Sequence, residues 1–183
     1  MATHVVLLRG VNLGSRNRVR MADLRTLLEG LGGEDVRTHL VSGNAVLRSR
    51  RSAKALEKAV EAALRDDIGV PVRALVRTSA EMAKAVRSNP FARRGADTRN
   101  LHVTFLDAAP GRGRARELMA RDFGGDRVAL VGREAYLSTP DGYGRSRLGN
   151  VDIEKALGVT GTTRNWNTVT ALARLAKPAG GDG

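Results

Sequence analysis

The sequence predicts an α+β fold of two ferredoxin-like (split βαβ) halves in tandem. Each half would have an antiparallel sheet with helices on one face, and the second half is the less complete. Two observations predict this fold. Short β-branched or alternating segments are interspersed with segments whose apolar residues recur every three or four positions. In the first half these segments follow the order β-α-β-β-α-β, which is the ferredoxin-like order.

The first half is predicted over residues 1–90. Its elements are strands over 4–9, 36–41, 45–48 and 72–77, helices over 21–31 and 53–68, and a last helix that ends near 89–90. Ser52 is a candidate N-cap, and Thr78-Ser79-Ala80-Glu81 has the pattern of a capping box. Right-handed crossovers then place the first and third strands at the centre of a four-stranded sheet.

The second half is predicted over residues 91–177 and is expected to pack on the first. Its elements are strands over 101–106, 127–131 and 135–138 and helices over 114–121, 151–157 and about 169–176. The order echoes the first half without a residue-level repeat. Residues 178–183, rich in Gly with one Pro, are predicted to be a disordered tail.

The global charge is strongly positive. The chain of 183 residues has 31 Lys and Arg against 19 Asp and Glu, a formal net charge of +12. A field of this sign attracts nucleic acids and phosphorylated ligands. Most of the basic residues are Arg, which a GC-rich coding sequence would also produce, so functional and purely compositional charge both remain open.

The chain has features of a cytoplasmic protein with no membrane partner. No window approaches the ~18 consecutive apolar residues of a membrane span. The first residues lack the basic segment of a signal peptide. The absence of cysteine removes thiol catalysis and thiolate metal sites.

The loop after the first strand is the strongest candidate for a phosphate site. Its glycines let backbone N–H groups turn toward an anion, and its arginines supply bidentate donors. The loop is neither a P-loop nor a dinucleotide fingerprint, because the required Gly and Lys spacings are missing. A flexible connection with solvated arginines is the alternative. The candidate ligand residues are Arg9, Gly10, Asn12, Gly14, Arg16 and Arg18.

Three further segments contribute candidate residues. The C-terminal cluster could contact a nucleotide, with the Trp ring stacking on a base, or it could cap a helix and anchor packing. The Gly-flanked Tyr segment could be a contact loop or a surface turn. The Ser42-Gly43-Asn44 turn is explained mainly by hairpin geometry. The residues concerned are Arg164, Asn165, Trp166, Asn167, Tyr143, Arg145, Arg147 and Asn44.

Signatures of catalysis are almost absent. His4, His39 and His102 fall in predicted strands at no metal-ligand spacing, and no nucleophile-elbow motif occurs. The central strands carry no aromatic residue for base stacking of the RRM type. The sequence therefore predicts no cofactor and no metal site, and it leaves open whether the protein is an enzyme and which residues would be catalytic.

Two groups of motifs resemble domain-of-unknown-function family 1697, over residues 3 to 176. The resemblance implies a soluble bacterial protein with two βαββ-type halves, and it implies no established activity. His39-Leu40-Val41 departs from the pattern, where Tyr, Ile and Gln are common, and removes a polar side chain beside the hairpin turn. The main motifs are Leu7-Leu8-Arg9-Gly10-Val11-Asn12-Leu13-Gly14, Met21-Ala22-Asp23-Leu24-Arg25, Ser42-Gly43-Asn44-Ala45-Val46, Tyr143-Gly144-Arg145-Ser146 and Thr163-Arg164-Asn165-Trp166-Asn167-Thr168-Val169.

The leading functional hypothesis is a binding protein without catalysis for a phosphate-bearing ligand, above all nucleic acid. It assumes that the loop over residues 10–18 and the segment over 163–168 meet in one composite site. An enzyme acting on a small phosphorylated or carboxylated metabolite is the first alternative. A protein-interaction domain with non-functional charge is the second.

Overall fold

The computed structural model describes residues 1–94 and 96–177 of the chain. The chain divides into two compact units. The first comprises Met1–Lys84 and the C-terminal segment that begins at Ala171, and the second comprises Ala85–Thr170. The division therefore falls inside two helices, whereas the sequence places it after residue 90. The tail predicted over residues 178–183 lies outside the described residues.

The first unit has the predicted β-α-β-β-α-β order, followed by the start of a third helix. Its sheet has the strand order β2-β3-β1-β4 with antiparallel neighbours, so the first and third strands are central as predicted. The elements are β1 (Ala2–Leu8), α1 (Met21–Gly30), β2 (Glu34–His39), β3 (Asn44–Ser49), α2 (Ala53–Asp67), β4 (Ala74–Thr78) and α3 (Ser79–Arg87).

An apolar core joins α1 and α2 to one face of this sheet. Val6 and Leu8 of β1 pack in one cluster with Leu24 of α1 and Val60 of α2, all fully buried. Both predicted caps are confirmed. The Ser52 hydroxyl accepts from Ala55 N at 3.2 Å. Thr78 and Glu81 form a reciprocal capping box at the start of α3.

The second unit repeats this arrangement and is more complete than the sequence indicates. The polar segment Gly161–Asn165 is a fourth strand at the edge of the sheet, which the sequence analysis missed. The strand order is β6-β7-β5-β8. The elements are β5 (Leu101–Leu106), α4 (Arg112–Ala120), β6 (Arg127–Val131), β7 (Glu134–Ser138), α5 (Asn150–Leu157), β8 (Gly161–Asn165) and α6 (Trp166–Leu175).

The two sheets share one register residue by residue. His4 of β1 pairs with Leu47 and Thr78, and His102 of β5 pairs with Leu137 and Asn165. One position further along, Val5 lies opposite Arg77 and Val103 lies opposite Arg164. Both arginines are buried, and each precedes the residue that caps the following helix. The repeat is therefore visible at the level of single residues once the strands are aligned.

Within the described ranges, no helix is long and apolar enough to cross a bilayer.

Candidate functional site

The loop that follows β1 is a small, internally bonded hairpin. We call residues 9–20 the arginine loop. Leu13 and Arg16 are bridge partners across the Gly14-Ser15 tip, and Asn12 N donates to Asn17 O at 3.1 Å. Gly14 has φ +64°, a left-handed conformation that favours glycine in a two-residue turn. The flexible connection considered from sequence is thus a defined structure.

Asn12 fixes this hairpin to the rest of the unit. Its side-chain amide donates to Val19 O at 2.9 Å and to Val41 O at 2.6 Å, and its Oδ1 accepts from Val19 N at 2.9 Å. These three bonds occupy the amide. Asn12 therefore holds the arginine loop against the β2–β3 turn, and its predicted direct contact with a ligand is replaced by this scaffolding role.

Asn44 also serves the turn. It is fully buried at the start of β3, and its amide donates to His39 O and to Ser42 Oγ, both at 2.9 Å. These bonds and the burial favour the structural explanation of the turn, and the ligand role of Asn44 stays a prediction. The preceding Gly43 packs against Val11 and Leu8 so closely that a Cβ there would lie 2.5 Å from the Val11 side chain.

The arginines of the loop differ in their partners. Arg20, which the sequence analysis did not single out, is bound to Asp23 at 2.7 Å, and this hydrogen bond lowers the pKa of the Asp23 carboxyl. Arg9 is half-buried and its backbone N–H donates to Arg73 O. Arg16 and Arg18 are exposed, and neither has a carboxylate partner within the described part of the chain. These two are the guanidinium groups available to a ligand.

Three large apolar side chains beside these arginines are exposed, and the sequence analysis missed them. Leu13 at the loop tip is 72% exposed, and Leu40 and Val41 of the β2–β3 turn are 56% and 71% exposed. Leu40 has φ +59°, which is unusual for a bulky residue. The only sequence signal was the apolar pair Leu40-Val41 directly before a polar turn.

In the second unit, most of the C-terminal cluster has structural roles. Arg164 is buried, which lowers its pKa to about 10, and it donates to Thr162 Oγ1 at 2.7 Å. Trp166 is 7% exposed, so its ring is not available to stack on a base. Asn165 caps α6 by accepting from Thr168 N at 2.8 Å. Asn167 is exposed, and its carbonyl accepts from the Thr170 hydroxyl.

The Tyr143 segment is packed and is not a free contact loop. Tyr143–Arg145 forms a 3₁₀ turn, and the Tyr143 ring stacks on His102 with centroids 4.4 Å apart. Burial lowers the pKa of His102 and raises the pKa of Tyr143. Arg145 and Arg147 are exposed, and Arg147 lines a surface depression whose other charged residues have both signs.

The predicted residues thus fall into two sets, one in each unit. Arg9, Gly10, Asn12, Gly14, Arg16, Arg18 and Asn44 belong to the first unit, and the other candidates belong to the second. The composite site remains a prediction. Among the residues that the structure describes, no group of three His, Asp or Glu side chains could hold a metal ion. The carboxyls of half-buried Asp23 and of exposed Asp66 and Asp97 each have a lowered pKa, and the first cause in each case is a hydrogen bond from an arginine.

A solved structure resembles this fold over nearly the whole chain. It is described as the structure of the conserved bacterial protein SP0830 from Streptococcus pneumoniae, with a TM-score of 0.78 and 18% sequence identity. The similarity covers 96% of this chain and 99% of that chain. At this identity it shows the fold alone. No curated protein matches the sequence.

The family model described as "Protein of unknown function (DUF1697)" matches residues 1–136, which include the arginine loop and the whole first sheet. The C-terminal motifs that also resemble the family lie beyond the matched range. The match spans well over half of the chain, and the chain belongs to the DUF1697 family.

Proposed function

We propose that the protein is a nucleic-acid-binding protein without catalytic activity, and that Arg16 and Arg18 provide its main phosphate contacts. The observation that carries the proposal is the state of these two side chains. Both are exposed and have no carboxylate partner among residues 1–94 and 96–177, on a loop whose backbone is tied down by Asn12. An unpaired guanidinium can meet a phosphate without first breaking an ion pair.

The rigidity of the loop supports this proposal. A preorganised loop loses little conformational entropy on binding, so more of the interaction free energy appears as affinity. The bonds of Asn12 to Val19 and Val41, together with the Leu13–Arg16 bridge, supply that preorganisation. Nearby Arg20 and Arg73 are engaged with Asp23 and Glu61 and contribute less free charge.

The test is the salt dependence of binding to labelled oligonucleotides, measured by fluorescence anisotropy. Replacing both Arg16 and Arg18 with alanine removes two phosphate contacts. The affinity should fall roughly five- to tenfold near ~100 mM salt, and the slope of log K against log salt should decrease by about 1.5. Both effects should be similar for all base sequences, because phosphate contacts carry no sequence information.

Arg50→Ala is the matched control. Arg50 is also exposed and has no carboxylate partner in the part of the chain that the structure describes, but it follows β3, whereas the arginine loop lies beside the start of that strand. Six strand residues at about 3.3 Å each separate the two ends. Arg50→Ala removes one charge where the double variant removes two, so a ligand that responds only to net charge should lose about half as much in log affinity and in slope. A loss of that size in Arg50→Ala would contradict the proposed site.

A further inference from the structure

Leu13, Leu40 and Val41 form one apolar surface next to the arginines, which we call the aliphatic patch. Their side chains are 72%, 56% and 71% exposed. The two segments that carry them are joined directly, because the Asn12 amide donates to Val41 O at 2.6 Å. Three of the exposed large apolar side chains of the described residues are therefore concentrated on two bonded neighbouring turns.

The fold holds this patch in place at a cost. Leu40 is kept at φ +59°, where its Cβ is crowded by its own backbone. The following Gly43 is wedged against Val11 and Leu8, and Asn44 bonds back to His39 O, so the turn has little freedom to withdraw Leu40 or Val41. Strained residues that persist in a structure concentrate at binding and switch sites. The patch thus has the features of a contact surface.

The patch and the free positive charge lie side by side. Leu13 and Arg16 face each other across the loop tip as bridge partners, which places their Cβ atoms about 5 Å apart. The arrangement suits a ligand in which phosphate groups and apolar surface lie next to each other.

We propose that the aliphatic patch selects single-stranded over double-stranded nucleic acid, by contacting unstacked bases while Arg16 and Arg18 hold the adjoining phosphates. In a duplex the base faces are stacked and covered, so only its phosphates could engage this surface and the patch would stay in water. This inference rests on the proposed function and assigns its ligand class.

The test compares one labelled oligonucleotide as a single strand and as a duplex, at equal salt concentration, with the unchanged protein and with Leu13→Ser/Val41→Ser. The unchanged protein should prefer the single strand. The double substitution should weaken single-strand binding about fivefold by removing apolar contact area, and duplex binding should change less than twofold. The salt slope should stay the same, because no phosphate contact is lost.

Val151→Ser is the control, since Val151 is 53% exposed on α5 of the second unit and is not part of the patch. Circular dichroism and urea unfolding establish that each variant is folded. The more conservative Val41→Thr, which keeps the side-chain shape, replaces the double variant if the latter unfolds. It should reduce single-strand affinity in the same direction.

The outcomes separate this inference from the proposed function. Loss of single-strand and duplex binding in Arg16→Ala/Arg18→Ala, with no selective loss in Leu13→Ser/Val41→Ser, overturns the inference and leaves the proposed function standing. Equal affinity of the unchanged protein for both forms also overturns it. Vesicles containing phosphatidylglycerol form the last arm. If the patch variant loses vesicle binding and keeps its single-strand affinity, the patch is a lipid contact and the inference is wrong.

Discussion

Gly43 occupies a position where both backbone and packing require glycine. Its φ is +77°, and a Cβ would approach Val11 Cγ2 to 2.5 Å and Leu8 Cβ to 2.8 Å. Replacement by alanine combines left-handed strain with overpacking. We expect Gly43→Ala to lower the free energy of unfolding by about 2–4 kcal/mol. Urea unfolding followed by circular dichroism measures it.

Gly69→Ala separates the two causes. Gly69 has φ +75° but nothing within 4 Å of its ideal Cβ. Gly69→Ala should therefore lower the free energy of unfolding by only about 1 kcal/mol, which is the cost of the backbone conformation alone. Equal losses at Gly43 and Gly69 would show that the close approach to Val11 and Leu8 is relieved without cost. The β2–β3 turn would then be more adaptable than the proposed contact surface needs.

Asn12 and Asn44 show that the hydrogen-bond partners of a single side chain could not be predicted from the sequence. Asn12 and Asn44 were selected because an amide near glycines and arginines suits a ligand. Both amides instead bond to carbonyls: Asn12 to Val19 and Val41, Asn44 to His39. Partners up to 29 positions away are set by the fold, and a local motif contains no information about them. The exposed Arg16 and Arg18 needed no such partner, so their availability could be predicted.

At the scale of elements, helix α6 allows a direct test of whether Asn165 is a helix cap. Asn165 accepts from Thr168 N at 2.8 Å and so satisfies one free donor at the start of the helix. Asn165→Ala should lower the free energy of unfolding by about 1 kcal/mol, while Asn165→Asp should stay close to the unchanged protein. Thermal unfolding of the two variants measures the difference.

The same variants report on binding. If Asn165 only caps the helix, single-strand affinity in Asn165→Ala should remain within twofold at a temperature where the variant is folded. A large loss of affinity without a loss of stability would show that Asn165 contacts the ligand and would support the composite site. Asn167, which is exposed two positions further along, is the natural companion substitution.

Strand β8 explains why the second half was incompletely predicted. The strand has the sequence Gly-Thr-Thr-Arg-Asn and lies at a sheet edge, so it lacks the large apolar residues that β1 and β5 both contain. Thr162 and Thr163 are β-branched and were the available strand signal. By contrast, apolar periodicity and capping residues predict the helices and the hairpins. Both hydrogen bonds of the capping box predicted at Thr78 and Glu81 are present in the structure.

At the scale of the whole molecule, a histidine occurs at the same register position in both sheets, buried at His4 and half-buried at His102. His4 is 1% exposed and His102 stacks on Tyr143, and burial lowers the pKa of each. The fold therefore favours neutral imidazole at two equivalent places.

These histidines should make stability fall in mild acid. Because each folded-state pKa lies below the unfolded value of 6.5, the unfolded chain binds more protons as pH falls through 6.5. The free energy of unfolding then decreases with falling pH, by at most about 1.4 kcal/mol per pH unit for each histidine. Exposed Asp97, whose pKa is lowered to about 2 by Arg99, stays ionised through this range and adds no slope.

His4→Leu and His102→Leu, alone and together, measure that contribution. Each should flatten the dependence of Tm on pH between about 7 and 5, and the double variant should flatten it further, since the two rings lie in separate sheets and should act additively. The slope is the quantity to compare, because a leucine changes packing at all pH values alike. If the double variant keeps the slope of the unchanged protein, acid sensitivity arises elsewhere and the repeated histidine is only a packing residue.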